Sequence, residues 1–304
     1  MKKLIFLGVM MIFIVSSTVA CVYVLRGSDD ILSTDEVLYE EMVRLHPIEE
    51  NGLWGFMNML TGERVIEPQF AWVGIYSKGL AFVRGVEGRE YQTGYIDLAG
   101  NLVIPLPAVS EGHGFSEGFA FVRGIEGRDD LTGYIDMTGN LVIPLPAVSE
   151  GHGFSEGFAF VRGVEGRDDL TGYIDMTGNL IISLPSAIIA HEFSNGFAVV
   201  IEREWNYYDE AIVPIGVPGP FIFIDRAGQN AFGREFSTAS SFRGDLAIVS
   251  LDNGNKMFMD TVGRNAFGRE FLFIFSFDGD YAYVTLLNGA PARINIQSGR
   301  IVRK

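Results

Sequence analysis

One acidic residue recurs along this 304-residue chain at a spacing that could serve either metal binding or acid–base chemistry. Asp97, Asp136 and Asp175 lie 39 residues apart, and Asp225 and Asp260 continue the series at intervals of 50 and 35. Gathered round an axis, these carboxylates would hold a cation or act as acid and base. Local structure explains the same pattern. Each Asp opens a stretch such as "DMTG" (136–139), where Asp favours the first position of a type I turn and Gly tolerates the fourth. Catalytic pairs also need environments that separate two pKa values, which identical repeats do not provide. The turn reading is preferred.

His113, His152 and His191 repeat at the same interval, ahead of "GFSEG" or "EFSNG". They would share a metal only if neighbouring units brought them together, and their Gly-rich setting predicts exposed turn residues. The "EGRDD" loops (126–130 and 165–169) offer carboxylate pairs for weak calcium binding, or simply solvated turns. "GHGFSEG" (112–118) has the wrong spacing for a dinucleotide loop. No nucleophile stands with a base and an orienting group, so no catalytic residue, metal ligand or cofactor is assigned. One segment departs from the pattern. Sixteen residues separate Ala159 from Asp175, but 27 separate Ala198 from Asp225, and the excess lies in "EREWNYYDEAIVPIGVPGP" (202–220). Trp205, Tyr207 and Tyr208 beside Asp209 are amphipathic side chains of the kind binding surfaces use, on a long loop where function tends to sit. They are the candidate ligand-binding residues; the alternative is that they pack the loop onto a neighbouring unit.

The elements that must position these residues follow from two markers. The Asp series extends to Asn58 and Asn295, and Ala81, Ala120, Ala159, Ala198, Ala247 and Ala282 keep step with it. Together they define seven units. Residues 106–139 and 145–178 are the same text apart from Ile125 and Val164, as duplication of a whole unit leaves it. Each unit holds three short apolar runs, for example "FAFVR" (119–123), "GYID" (133–136) and "NLVIP" (140–144). They are too short for helices and rich in β-branched and aromatic residues, so they read as strands. "VRLHPI" (43–48) takes the place of a first strand and "RIVR" (300–303) that of a last one. A meander this small cannot bury its own apolar face, so units must stack. The expected fold is all-β, with seven three-stranded antiparallel meanders in a propeller-like ring; an open β-solenoid is the alternative. Closure would remove exposed strand edges.

"LWGFMNMLTGERVIEP" followed by "KGLAFVRG" resembles the bacterial WG-repeat family, with its Trp-Gly pair, Tyr-Ile-Asp strand, glycine turn, Val-Ile-Pro strand and "F-x-x-G-L-A-x-V" strand. The resemblance covers residues 42–304. Only Trp54-Gly55 keeps the Trp; Thr93, Thr132 and Thr171 replace it in the next three units, and the last three lack the Gly. The family implies a β-repeat fold in exported or envelope-associated proteins, and no catalytic residues to carry over.

Residues 1–26 read as an export signal or membrane anchor. Lys2 and Lys3 precede twelve apolar residues (4–15), then small residues lead to the single cysteine, Cys21. "STVAC" resembles a lipoprotein processing site, which makes Cys21 a candidate for lipidation. The uncharged run reaches Leu25, long enough to span a bilayer uncleaved; a cleaved soluble form is the third alternative. Residues 27–41 form a linker or a short helix capped by "STDE". With a formal charge of −15 and no basic stripe, nucleic acid is a poor partner. The expectation is a non-catalytic, envelope-tethered β-repeat protein that binds a protein or glycan. A glycan hydrolase using two of the Asp residues and a structural spacer are the alternatives.

Overall fold

Gly-containing turns interrupt the chain so often that its strands run from only two to seven residues. In the computed structural model, which describes residues 45–202 and 220–302, these strands pair with their sequence neighbours into seven small antiparallel sheets. The first comprises Leu45–Glu50, Leu53–Asn58 and Arg64–Phe70; the second Trp72–Val73, Ala81–Arg84, Gly94–Ile96 and Leu102–Pro105. The third holds Val109–Gly112, Phe119–Gly124, Gly133–Asp136 and Leu141–Pro144, and the fourth Val148–Gly151, Phe158–Gly163, Gly172–Asp175 and Leu180–Ser183. Ala187–Ala190, Phe197–Glu202 and Phe221–Asp225 make the fifth; Thr238–Ala239, Leu246–Ser250 and Lys256–Asp260 the sixth. The seventh contains Phe273–Asp278, Tyr281–Thr285, Pro291–Asn295 and Ile301–Val302.

The seven units are therefore as expected, but their strands differ in two respects. Every sheet from the second on opens with a leading strand the sequence did not predict, exemplified by Val109–Gly112. Only its two ends are buried, and the intervening Ser110 and Glu111 hide it from a search for apolar runs. The fifth and sixth sheets have three strands but not the expected three, because "NAFGREF" at 230–236 and 265–271 forms an arch rather than a strand. Each arch pairs its backbone with the sheet only near its ends, through the bridges Ile224–Asn230 and Phe221–Phe236, then Met259–Asn265 and Lys256–Phe271.

A glycine marks that difference, while the seventh sheet, with Ala292 in its place, keeps only the two-residue outer strand Ile301–Val302. Gly94, Gly133 and Gly172 have φ near +150°, and a Cβ on any of them would collide with the carbonyl of Ile104, Ile143 or Ile182 on the outer strand. That outer strand slips by one residue just beyond the glycine, between Tyr134 and Ile135 in the third sheet. In the fifth and sixth sheets Ile222 and Met257 occupy the corresponding place, and the outer strand is lost to the arch.

Six hydrophobic clusters among the described residues join consecutive sheets, from the first–second pair to the sixth–seventh. Phe121, Tyr134 and Ile143 of the third sheet, for instance, pack on Phe154, Ala159, Val161 and Ile174. Among the described residues no such cluster joins the seventh sheet to the first. The seams from the second sheet to the sixth are also tied by polar groups. The buried tyrosines Tyr95, Tyr134 and Tyr173 donate to the carbonyls of His113, His152 and His191 in the next sheet, at 2.7, 2.7 and 2.5 Å. Ser77, Ser116, Ser155 and Ser194 donate to the carbonyls of Phe115, Phe154, Phe193 and Phe242 at 2.6 to 2.9 Å. Burial pushes the phenols far above their ordinary pKa, so they remain donors.

Two outcomes test this account. Gly133→Ala forces an L side chain into a positive φ against a carbonyl, and is expected to destabilise the fold by about 2–3 kcal/mol in chemical denaturation. Tyr134→Phe strands a buried carbonyl at one seam, and is expected to cost about 1–3 kcal/mol with little change in strand content by circular dichroism.

Candidate functional site

The turn after the leading strand, or inner edge, ties the second to fifth sheets to their neighbours, since the Ser-to-carbonyl bonds all lie there. Residues of the second, third, fourth and fifth sheets converge at this inner edge round one open recess of about 700 Å³, reached by Trp72, Lys78, His113, Gly153 and Glu192. Blades that converge on an axis produce such a shared lining. A second recess, of about 430 Å³, lies between the second and third sheets and is lined by Trp72, Arg84, Ser110, Glu111, His113 and Arg123.

Strand register sets the side chains that line it. Glu111 sits opposite Arg123 in the third sheet, and Glu150 opposite Arg162 in the fourth. Glu111 accepts from Arg123 at 3.0 Å and meets His113 Nε2 at 3.1 Å. Glu150 does the same with Arg162 at 3.0 Å and His152 at 3.2 Å. Burial pushes the Glu150 carboxyl upward, but hydrogen bonds from Arg162 and His152 outweigh it and hold the pKa below the usual glutamate range. The three histidines are thus not the exposed turn residues expected. They are half-buried, with His113 against Phe121 and His152 against Phe160. His191 bonds Ser241 at 3.2 Å, and burial, reinforced by the nearby charge of His152, holds its pKa below normal.

The aspartates behave as turn residues. Asp136 Oδ1 accepts from the amides of Thr138 and Asn140 at 2.9 and 3.0 Å, and Asp97, Asp175, Asp225 and Asp260 accept in the same way within their own turns. Hydrogen bonds led by the Thr138 and Thr177 hydroxyls lower the pKa of Asp136 and Asp175. The "EGRDD" loops contain short 3₁₀ turns, Asp129–Leu131 and Asp168–Leu170, in which Arg128 and Arg167 pair with Asp130 and Asp169 at 3.0 Å. Among the described residues no three potential ligands are grouped to hold a metal ion.

Trp54, the one family Trp retained, packs against the core between the first and second sheets. The threonines that replace it are buried, and Thr93, Thr132 and Thr171 accept the amides of Gly85, Gly124 and Gly163 at 3.0 to 3.2 Å. Trp205, Tyr207, Tyr208 and Asp209 lie outside the described residues, as do Cys21 and the whole of residues 1–44. Trp72, Arg84 and Arg123 were not singled out from the sequence. The available signal was a break in period: 39 residues before Glu111 stands Trp72.

The sequence profile of the family described as "WG containing repeat" matches residues 54–88, 94–127, 133–166 and 223–254. No curated protein sequence matches the chain significantly. Among solved structures, the computationally designed Ika8 protein is similar at 13% identity and a TM-score of 0.46, covering 85% of each chain. BamB from Moraxella catarrhalis is similar at 15% identity and a TM-score of 0.41, covering 85% of this chain and 84% of its own. The β-propeller domain of Cps50 (Swd1) from Myceliophteria thermophila is similar at 10% identity and a TM-score of 0.40, covering 85% and 88%. These likenesses are distant and say nothing of ligand or activity here.

The turn role of the aspartates has a pH signature. A depressed folded-state pKa contributes stability that is complete above the unfolded value, about 3.9, and is lost as pH falls through the folded one. Asp136→Asn keeps the Oδ1 acceptor but not the charge. It is expected to unfold below wild type at neutral pH, where it lacks the contribution of the charge, and to converge with wild type below about pH 4, so its stability varies less with pH. Asp136→Ala is expected to be less stable than either at neutral pH in the same thermal scans.

Proposed function

We propose that this chain, which belongs to the WG-repeat family, is an exported, envelope-tethered binding module without catalysis, and that its ligand is a protein or a glycan. The observation that carries this reading is the recess between the second and third sheets. It sets a half-exposed indole, that of Trp72, beside Arg84, Arg123, Glu111 and His113. Apolar surface with a few convergent polar groups is the usual composition of a ligand pocket. The loop at 202–220, with Trp205, Tyr207, Tyr208 and Asp209, is proposed as a second contact. Residues 1–26 would supply the export signal, and either lipidated Cys21 or the uncharged run to Leu25 would supply the tether. The hydrolase alternative gains no support, because the carboxylates it would use are occupied in their own turns.

A structural spacer is the second reading, favoured by the way one set of seam hydrogen bonds recurs from unit to unit. A unit added to such an array meets ready-made partners, and length changes without new contacts.

Trp72→Ala decides between the two. In a binding module it is expected to weaken capture of glycan or protein ligands at least about tenfold, or 1.4 kcal/mol, with the unfolding midpoint nearly unchanged. Capture that survives both Trp72→Ala and excision of the 202–220 loop would overturn the binding reading and favour the spacer.

A further inference from the structure

Aligned by strand register, the second, third and fourth sheets present the same cross-strand pair at the inner edge: Trp72 opposite Arg84, Glu111 opposite Arg123, Glu150 opposite Arg162. The third and fourth sheets complete the pair with a carboxylate, and each carboxylate is completed by a histidine two residues later. In the second sheet the arginine is retained while both partners are replaced. Trp72 stands in the glutamate's place and Gly74 in the histidine's.

The two replacements fit one another. His113 and His152 cover Phe121 and Phe160 edge-on, at 5.6 and 5.3 Å between ring centroids. In the second sheet the indole of Trp72 covers Phe82 instead, at 6.2 Å. Glycine at position 74 leaves the ring room: a Cβ there would lie 3.3 Å from Trp72 Cη2, tighter than an ordinary contact. The outcome is an indole that is 41% exposed, and an exposed guanidinium on Arg84 with no carboxylate in ion-pair contact among the described residues. Both face the 430 Å³ recess, together with the Glu111–Arg123 pair.

We infer that this recess binds a carboxylated sugar ring, of the uronic acid class, with its C–H face on Trp72 and its carboxylate on Arg84. The inference rests on the binding-module reading and names its ligand. The ligand's carboxylate takes the place that Glu111 and Glu150 fill in the neighbouring sheets, where a planar guanidinium and a carboxylate make paired hydrogen bonds. Directly opposed side chains on antiparallel strands have Cβ atoms about 4.5–5.5 Å apart. The ligand must therefore carry a flat apolar face and an anion within one ring's width of each other. A pyranose with a ring carboxylate does; a free phosphate lacks the face, and an aspartate or glutamate side chain lacks the ring. Glu111 and Arg123 are placed to meet the ring hydroxyls. The chain's charge of −15 opposes anions at long range, so the contact is local rather than a general affinity for polyanions.

The experiment uses the full chain in detergent micelles and isothermal titration with a galacturonate trisaccharide and its neutral galactose counterpart. The acidic sugar is expected to bind at least tenfold more tightly than the neutral one. Arg84→Gln should abolish that preference, and Trp72→Ala should weaken both sugars. Trp72→Glu supplies Arg84 with the glutamate of the neighbouring sheets; it should eliminate acidic-sugar binding while the unfolding midpoint holds or rises, which separates loss of the site from loss of the fold. Equal binding of both sugars, unaltered by Arg84→Gln, would overturn the proposed ligand while leaving a glycan-binding module intact. Binding of neither sugar would overturn it as well. Binding of an acidic peptide in place of the sugars, lost in Arg84→Gln, would reassign the recess to a protein ligand and leave only the module reading standing.

Discussion

A sheet of three or four very short strands is too small to bury either of its faces, and everything else in this molecule depends on the seam it makes with the next one. An isolated two-stranded hairpin is marginal in water, and further strands add stability only where an apolar face is buried. Here the buried side chains gather into clusters that each span two sheets. The seam is more than an apolar contact. In the second, third and fourth sheets a central tyrosine spends its hydroxyl on a carbonyl of the next, and in the second to fifth a serine at the inner turn does likewise. These bonds satisfy groups that would otherwise be buried without partners, and they fix how far one sheet can slide over another.

The seam also determines where function can reside. Positions that recur from unit to unit are taken up by structural needs. The aspartates hold turns, the threonines accept glycine amides, and the glutamate–arginine–histidine sets of the third and fourth sheets satisfy one another. In a repeat protein the groups left over for a ligand are those at which the repeat is broken. Trp72 is such a place: the substitution removes a carboxylate, leaves its arginine behind and exposes an aromatic face. The inner edge adds the second requirement, because it is there that several sheets contribute to one recess.

The glycine of the family motif illustrates how one residue propagates through a sheet. Its positive φ lets the outer strand shift by a residue and still pair. In the fifth and sixth sheets, where Ile222 and Met257 take its place, the chain arches instead, and phenylalanines fill the space the strand vacates. Phe232 lies among Phe197, Phe223 and Phe242, and Phe267 against Phe258. The sheet keeps its core by exchanging backbone pairing for aromatic packing.

By itself the sequence determined the all-β class, the seven units and the turn role of the aspartates, because period, strand-forming composition and D-x-x-G turns are local properties written in residue types. It did not reveal Val109–Gly112 as a strand, since that strand is defined by its pairing with Phe119–Gly124 rather than by its own apolar content. Nor did it reveal the histidines as half-buried, because their cover comes from Phe121 and Phe160 across the sheet. The candidate site was legible only as a break in period at Trp72. That the break leaves Arg84 without its carboxylate, beside an open recess, is a matter of register and of how sheets converge, and only the tertiary structure decides that.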